Sequence, residues 1–502
     1  MNNSSRQIKY GALLSYTSIA LNILAGLIYT PWMIEKIGQS QYGLYTLCNS
    51  LISLFLMDFG LSSATARYLS RYRATGEDEK INDFLGAIYK LYLIIDAVIF
   101  LAFAVVYFRL ETIYVSLTPE ELAQLKVVYL VSASFSLVNF PFVTLNGILT
   151  AYERFIPLKL ADIIHKVLVI ILMVAALLRN HGLFALVTVN AVAGLLITLY
   201  KLIVIKRTVP ARINWRHSDK SLYREIFGFS LWSTVAALAQ RLIFNITPSI
   251  LGILCNSGVI AVFGVIATIE GYAYMISGAI NGLFMPKVSR IYAGQDTETS
   301  IFPLLMSVGR IQYTLNGLII AGFAVIGREF LILWMGPAYL DAYAGILLVI
   351  IPNLFFNSLQ IANTAIVVTK HVSYFACINV IMGLTNVLLA FPLVYHFGMI
   401  GSCISIFIAY MLRAVLLNIL YRRKLQIDLK TFAKECYCKL AVPILVTIGL
   451  GLWITGKVPA NGWAGLAVKG CIVVVVYAGM VVLLQLRSIR NWLRHRCGIR
   501  EK

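Results

Sequence analysis

The feature that most constrains this chain is a repeating pattern: apolar runs long enough to cross a bilayer recur roughly every 36 residues. Fourteen are read, at about 10–34, 42–65, 84–108, 122–149, 159–179, 183–205, 226–253, 259–285, 303–326, 344–367, 375–395, 400–420, 439–455 and 464–486. A helix needs about 20 apolar residues to span the hydrocarbon core. Inside lipid the backbone must satisfy its own hydrogen bonds, which leaves helices or closed barrels, and runs this long are helical. Composition agrees. Of 502 residues, 60% are hydrophobic and 13% charged, against about a quarter charged in soluble domains. The expected fold class is an all-α polytopic membrane protein.

The formal net charge is +20, but its placement points to lipid and away from nucleic acid. With the N-terminus inside, inner segments hold 29 of the 42 Lys and Arg, and outer loops hold five: Lys36, Arg109, Arg179, Arg328 and Lys457. That asymmetry places both termini in the cytoplasm. The run at 10–34 is too long for a signal-peptide core and is expected to stay as the first span. Basic residues around Trp492 in the tail fit a helix on the inner leaflet or simple inside flanking.

Several chemistries are excluded. The eight cysteines form no CxxC pair and no metal-ligand spacing, so neither a disulfide framework nor a metal site is expected. No stretch outside the spans exceeds roughly 20 residues, too short for a catalytic domain. There is no phosphate-binding glycine loop and no nucleophile elbow, and the six histidines are scattered. An enzyme is not expected.

An internal repeat appears at an offset of about 220. Lys90-x5-Asp96 matches Arg310-x5-Asn316, and Phe103-Ala104-Val105 matches Phe323-Ala324-Val325. Six spans separate the partners, so the copies insert in the same orientation. The expectation is about 14 transmembrane helices in two parallel pseudo-symmetric halves around a central cavity. The halves are read as 1–208 and 226–424, with a basic cytoplasmic linker at 209–225. The last two spans and a basic tail occupy 425–502.

A charge within a span costs about 2.5–3.5 kcal/mol on insertion scales, so each needs a reason. Lys126, Lys201 and Arg413 lie near span ends and are read as snorkelling. Asp162 and Lys166 have helix-pair spacing. Lys90 and Arg310 sit where cavity lining and snorkelling both fit. Arg241 is deeper, about 20 Å from either surface at 1.5 Å per residue. Thr234, Arg241, Asn245 and Ser249 share one face of span seven, while Glu270, Ser277 and Asn281 share one of span eight. Opposite charges on consecutive helices read as a locking pair or as the lining of a polar cavity. Span one offers only Ser15, Ser18, Asn22 and Tyr29, a soft lining for hydroxyl-rich cargo or a packing face.

Two stretches now carry a resemblance: IGQSQYGLYTL (37–47) and DFGLSSATARYLSRYRATGE (58–77). They resemble the bacterial polysaccharide export proteins, the O-antigen-type flippases of the multidrug/oligosaccharidyl-lipid/polysaccharide exporter superfamily. That family shows a Gly, a Tyr-Gly-x-Tyr, an Asp-x-Gly-Leu and an Arg-Tyr. Here those places hold Gly38, Tyr42, Gly43, Tyr45, Asp58, Gly60, Leu61, Arg67 and Tyr68. INGLFMPKVSRIYAG (280–294) is similar to the family's exit from span eight. Many relatives carry an acid late in span seven; this chain reads FNITPSILG (244–252), so that acid's role does not carry over.

The resemblance implies a flippase for lipid-linked oligosaccharide, an O-antigen, capsule or exopolysaccharide unit on undecaprenyl pyrophosphate. It would work by alternating access in the bacterial inner membrane, beside a polysaccharide polymerase and glycosyltransferases. No cofactor is implied beyond a coupling ion, proton or sodium. On this reading Arg241, Asn245, Glu270, Asn281, Arg310, Lys90 and Asn22 contact substrate, with Arg241 on phosphate or an acidic sugar. Asp58, Asp96 and Arg67 are gate or structural charges, Asp58 partnered by a base such as Lys90. The rival readings are a multidrug or organic-cation exporter and a lipid II flippase.

Overall fold

The computed structural model describes residues 3–179, 182–210, 212–216, 220–292, 294, 300–369, 371–458 and 462–496. Parts of the basic linker and the end of the tail lie outside the described residues. In chain order the α-helices are α1 (Asn3–Ile37), α2 (Gln39–Phe55), α3 (Leu61–Thr75), α4 (Asp78–Ile113), α5 (Pro119–Asn139), α6 (Thr144–Ala151) and α7 (Phe155–Leu178). There follow α8 (Gly182–Thr208), α9 (Lys220–Phe244), α10 (Thr247–Leu254), α11 (Ser257–Tyr292), α12 (Phe302–Met335) and α13 (Ala342–Ile350). The last are α14 (Asn353–Ser358), α15 (Gln360–Val368), α16 (Val372–Leu425), α17 (Leu429–Phe432), α18 (Lys439–Thr455) and α19 (Gly462–Arg496). The described residues contain no strand.

Eleven of these helical stretches are long and apolar enough to cross a membrane, twelve if the bent pair 342–358 and 360–368 is one span. The 54-residue α16 is two helices joined at Gly398, whose φ of 58° breaks the run between expected spans eleven and twelve. Each of the fourteen expected spans has a helical counterpart, but several are not single helices.

Span two is the clearest correction. It is not one helix over 42–65: α2 ends at Phe55, and Phe59 (φ 49°) and Gly60 (φ 71°) turn the chain through the left-handed region. A left-handed conformation costs a non-glycine residue about 1–2 kcal/mol. Asp58 offsets this cost by accepting the Ser62 N–H at 3.1 and 3.2 Å, which starts α3. Span four breaks at the 3₁₀ turn Phe140–Val143, which contains Pro141. Its counterpart six spans on bends by 53° at Leu359, between α14 and α15. At the span-four break, Pro141 supplies no N–H to the helical ladder and clashes with the preceding turn. Span seven breaks at Asn245–Ile246, before Pro248 in the first turn of α10.

The described residues form two compact units, 1–264 with 375–405, and 265–374 with 406–502. These units are not coextensive with the halves read from sequence; the division falls inside α11 and α16. In the first unit, small residues let helices touch. A Cβ on Gly43 of α2 would run into the Ser257 backbone, and one on Gly147 of α6 would lie 2.8 Å from the Thr65 Cβ of α3. Without a hydrophobic force between helices in lipid, such close approach and hydrogen bonds hold them. In the second unit, Gly317 of α12 faces Tyr477 and Ile444, and Lys469 is tied to Glu329 at 2.6 Å.

Candidate functional site: a polar cavity in the first unit

The first unit holds an open cavity of about 370 Å³. α2 contributes Tyr45 and Asn49, one turn apart, and the break below it contributes Asp58. α5 contributes Ser132, Ser136 and Asn139, whose spacing puts all three on one stripe of the helix. α8 supplies Asn190 and α9 supplies Arg241, with Ile52, Phe135, Phe140 and Val187 between the polar groups.

The neutral groups are held in place by local bonds. Asn190 Nδ2 donates to Tyr45 Oη at 3.1 Å and to the Leu186 carbonyl at 2.7 Å. Asn139 donates to the Phe135 carbonyl at 3.1 Å and accepts from Thr198 Oγ1 at 3.0 Å. The two charges differ in kind. Asp58 is satisfied by the Ser62 N–H and by Tyr92 Oη at 2.7 Å. The Arg241 guanidinium is half-buried and has no hydrogen-bond or ion-pair partner among the described residues. The cavity therefore offers a cation with five unspent donors, with hydroxyls, amides and the bonded Asp58 set in a largely apolar wall.

The other expected site residues fall elsewhere. Asn245 closes α9, its N–H and that of Ile246 both donating to the Arg241 carbonyl at 3.2 Å. Asn22 turns back to the Ser18 carbonyl at 3.0 Å. Asn281 belongs to a buried network in the second unit. Gln312 Nε2 donates to Asn281 at 3.1 Å and to the Ser277 carbonyl at 2.8 Å, and Asn357 reaches Asn316 at 3.3 Å. That network joins helices. Arg310 is exposed and paired with Glu435 at 3.1 Å, which Lys439 also holds at 2.7 Å. Lys90 is half-buried on α4; the α4 side chain on Asp58 is Tyr92 instead. Arg67 is exposed, and half-buried Asp96 has one carboxylate oxygen without a partner.

Two structural expectations are overturned. Asp162 pairs with Lys159 at 3.4 Å and not with Lys166. Arg413, read as snorkelling, is 3% exposed, its guanidinium 4.0 Å from the Phe356 ring centre. A snorkelling side chain keeps its head in water, and this one does not. Glu270 is buried in the same unit, against Asn353 and near Tyr410, which also lies near Arg413. The second unit thus carries its own buried base as well as its acid, a base that the reading of span seven against span eight passed over. Sequence reasoning also missed Tyr45, Asn49, Ser132, Ser136, Asn139, Asn190 and Tyr92. Tyr45 stood in the family motif without a site role; for the others the only signal was an uncharged polar residue inside an apolar run.

This is a multi-pass, all-helical membrane protein with the fold shared by flippases and transporters of the MOP superfamily. Against the lipid II flippase MurJ in its inward closed conformation the TM-score is 0.67 at 13% identity, covering 97% of this chain and 99% of that one. Against a multidrug resistance MATE family transporter of the MOP superfamily, inward-facing, it is also 0.67 at 13% identity, covering 83% and 98%. The chain belongs to the family described as "Polysaccharide biosynthesis protein", whose model matches residues 8–292. It is 23% identical over 497 residues to the uncharacterized membrane protein EpsK of Bacillus subtilis (strain 168), covering 93% of each chain.

Proposed function

We propose that the protein flips a lipid-linked oligosaccharide, carried on undecaprenyl pyrophosphate, from the inner to the outer leaflet of the bacterial inner membrane. The observation that carries this is the cavity around Arg241: one unpartnered guanidinium among hydroxyls and amides. A guanidinium grips phosphate through paired, charge-assisted hydrogen bonds, while Tyr45, Asn49, Ser132, Ser136, Asn139 and Asn190 suit sugar hydroxyls. The lipid tail stays in the bilayer as alternating access carries the head across. The Lys and Arg asymmetry supports cytoplasmic termini, and glycosyltransferases and a polymerase would act before and after this step. Glu270, buried in the second unit, is the candidate for a coupling proton or sodium ion.

An organic-cation exporter needs an acid free to meet its cargo, and Asp58 is already bonded to Ser62 and Tyr92. A lipid II flippase differs in cargo alone, and the fold likeness to MurJ supports it as a second reading. The test is to delete the gene and assay each leaflet. Lipid-linked oligosaccharide trapped in the inner leaflet is the expected result. Trapped lipid II with normal oligosaccharide turnover selects the second reading, and sensitivity to organic cations alone overturns the proposal.

A further inference from the structure

Three even-numbered spans begin at one carboxylate. The first turns of α2, α5 and α11 converge on Glu121. Its Oε1 accepts from Ser40 Oγ at 2.6 Å and from Ser257 Oγ, and its Oε2 accepts from the Thr118 N–H at 3.0 Å. Thr118 Oγ1 in turn accepts from the Glu121 N–H at 3.3 Å, completing a capping box at the start of α5. The serine hydroxyls lie 3.1 Å apart, and Gln39 Nε2 donates to the Gly258 carbonyl at 3.2 Å. One turn further in, contact depends on absent side chains. A Cβ on Gly43 would strike the Ser257 backbone, and one on Gly264 would lie 2.8 Å from Thr46 Oγ1.

A capping box needs only residues of its own helix. The bonds from Ser40 and Ser257 are additional, and they join segments distant in sequence. Ser40 and Glu121 also sit at the starts of α2 and α5, two helices that line the Arg241 cavity further along. The arrangement is reversible by construction. If Ser257 and Ser40 withdraw, Glu121 keeps its Thr118 bonds and reaches water at the helix end, so no buried charge is stranded. The smooth glycine contact beneath has no interlocking side chain to resist separation.

We propose that Glu121 is a latch holding the outer ends of spans two, four and eight together, and that outward opening of the cavity breaks its bonds to Ser40 and Ser257. This rests on the topology and alternating access of the proposed function, in which even-numbered spans start on the outer face. In a cysteine-free background, Ala191→Cys places a thiol in the cavity. A membrane-impermeant thiol reagent added outside then reports outward opening. Glu121→Ala should raise the labelling rate about 100-fold, the weight of the two charge-assisted hydrogen bonds lost. Gly43→Ala should raise it as well, by forcing α2 from Ser257. Oxidising a Ser40→Cys, Ser257→Cys pair should abolish labelling, with reductant restoring it. Wild-type labelling in inserted Glu121→Ala overturns the latch, and if that variant does not insert, Ser257→Ala carries the same test. Labelling requires no cargo, so failure of the saccharide assignment would leave this result standing.

Discussion

Replacing Arg241 with alanine separates a cargo-holding cation from a structural one. The guanidinium is half-buried and has no protein partner among the described residues. Its removal therefore strands no carboxylate and enlarges an existing cavity instead of opening a void in packed side chains. The stability change should stay near the surface-substitution range of about 0.5 kcal/mol. Transport should respond very differently. Two charge-assisted hydrogen bonds to phosphate, at about 1.5–3 kcal/mol each, amount to 3 kcal/mol or more. At about 1.4 kcal/mol per decade that is a loss of at least roughly 100-fold in export. Arg241→Lys keeps the charge but not the paired donors and should lose about tenfold. Arg241→Glu should be the worst, since it repels an anionic head and adds a second acid to the cavity of Asp58. The assay is the rate of surface polysaccharide appearance per membrane-inserted protein across the three variants. Wild-type export in both the alanine and glutamate variants would refute the anionic-cavity argument. So would improved organic-cation efflux in the alanine variant.

The second buried arginine should behave in the opposite way. Arg413→Ala removes a desolvated cation from the Phe356 ring and should lower stability in detergent by about 2 kcal/mol, read as a drop in thermal midpoint; an unchanged midpoint would show that Arg413 is not structural. Gly147→Ala should cost about 1–3 kcal/mol by overpacking α6 against Thr65 of α3, read the same way, and normal stability would mean that the two helices can separate freely. A periplasm-active reporter fused after Pro119 or Trp334 should be active and one after Gly76 or Arg216 silent; activity at Arg216 would sink the topology.

Much of the fold was legible because lipid imposes a local test. Whether a stretch of about 20 residues dissolves in hydrocarbon depends on that stretch alone, and the Lys and Arg flanking it orient it. The fourteen segments and their apolar character followed from these two properties. The motif glycines were legible as glycines but not as contacts: Gly43 meets Ser257 and Gly60 turns a broken span, and neither partner nor turn is written beside them. The polar stripe of span seven found Arg241, since one charge at mid-depth is costly enough to stand out.

The remaining site residues became visible only with tertiary structure, for a geometric reason. A cavity is made where particular faces of non-neighbouring helices meet, and a helical wheel gives faces only while the helix runs unbroken. Span two breaks at 56–60, span four at Pro141 and span seven at Asn245, and each break resets the phase. That is why Asp58 joins Tyr45 and Asn190 in one cavity, whereas Asn281 meets Gln312 and Arg413 meets Phe356 because of which helices pack together. Hydropathy alone was enough to read a multi-pass helical membrane chain and the segments its helices are drawn from. Only the packing of the broken helices decided which polar side chains share a cavity, because hydropathy belongs to a segment and convergence belongs to the whole.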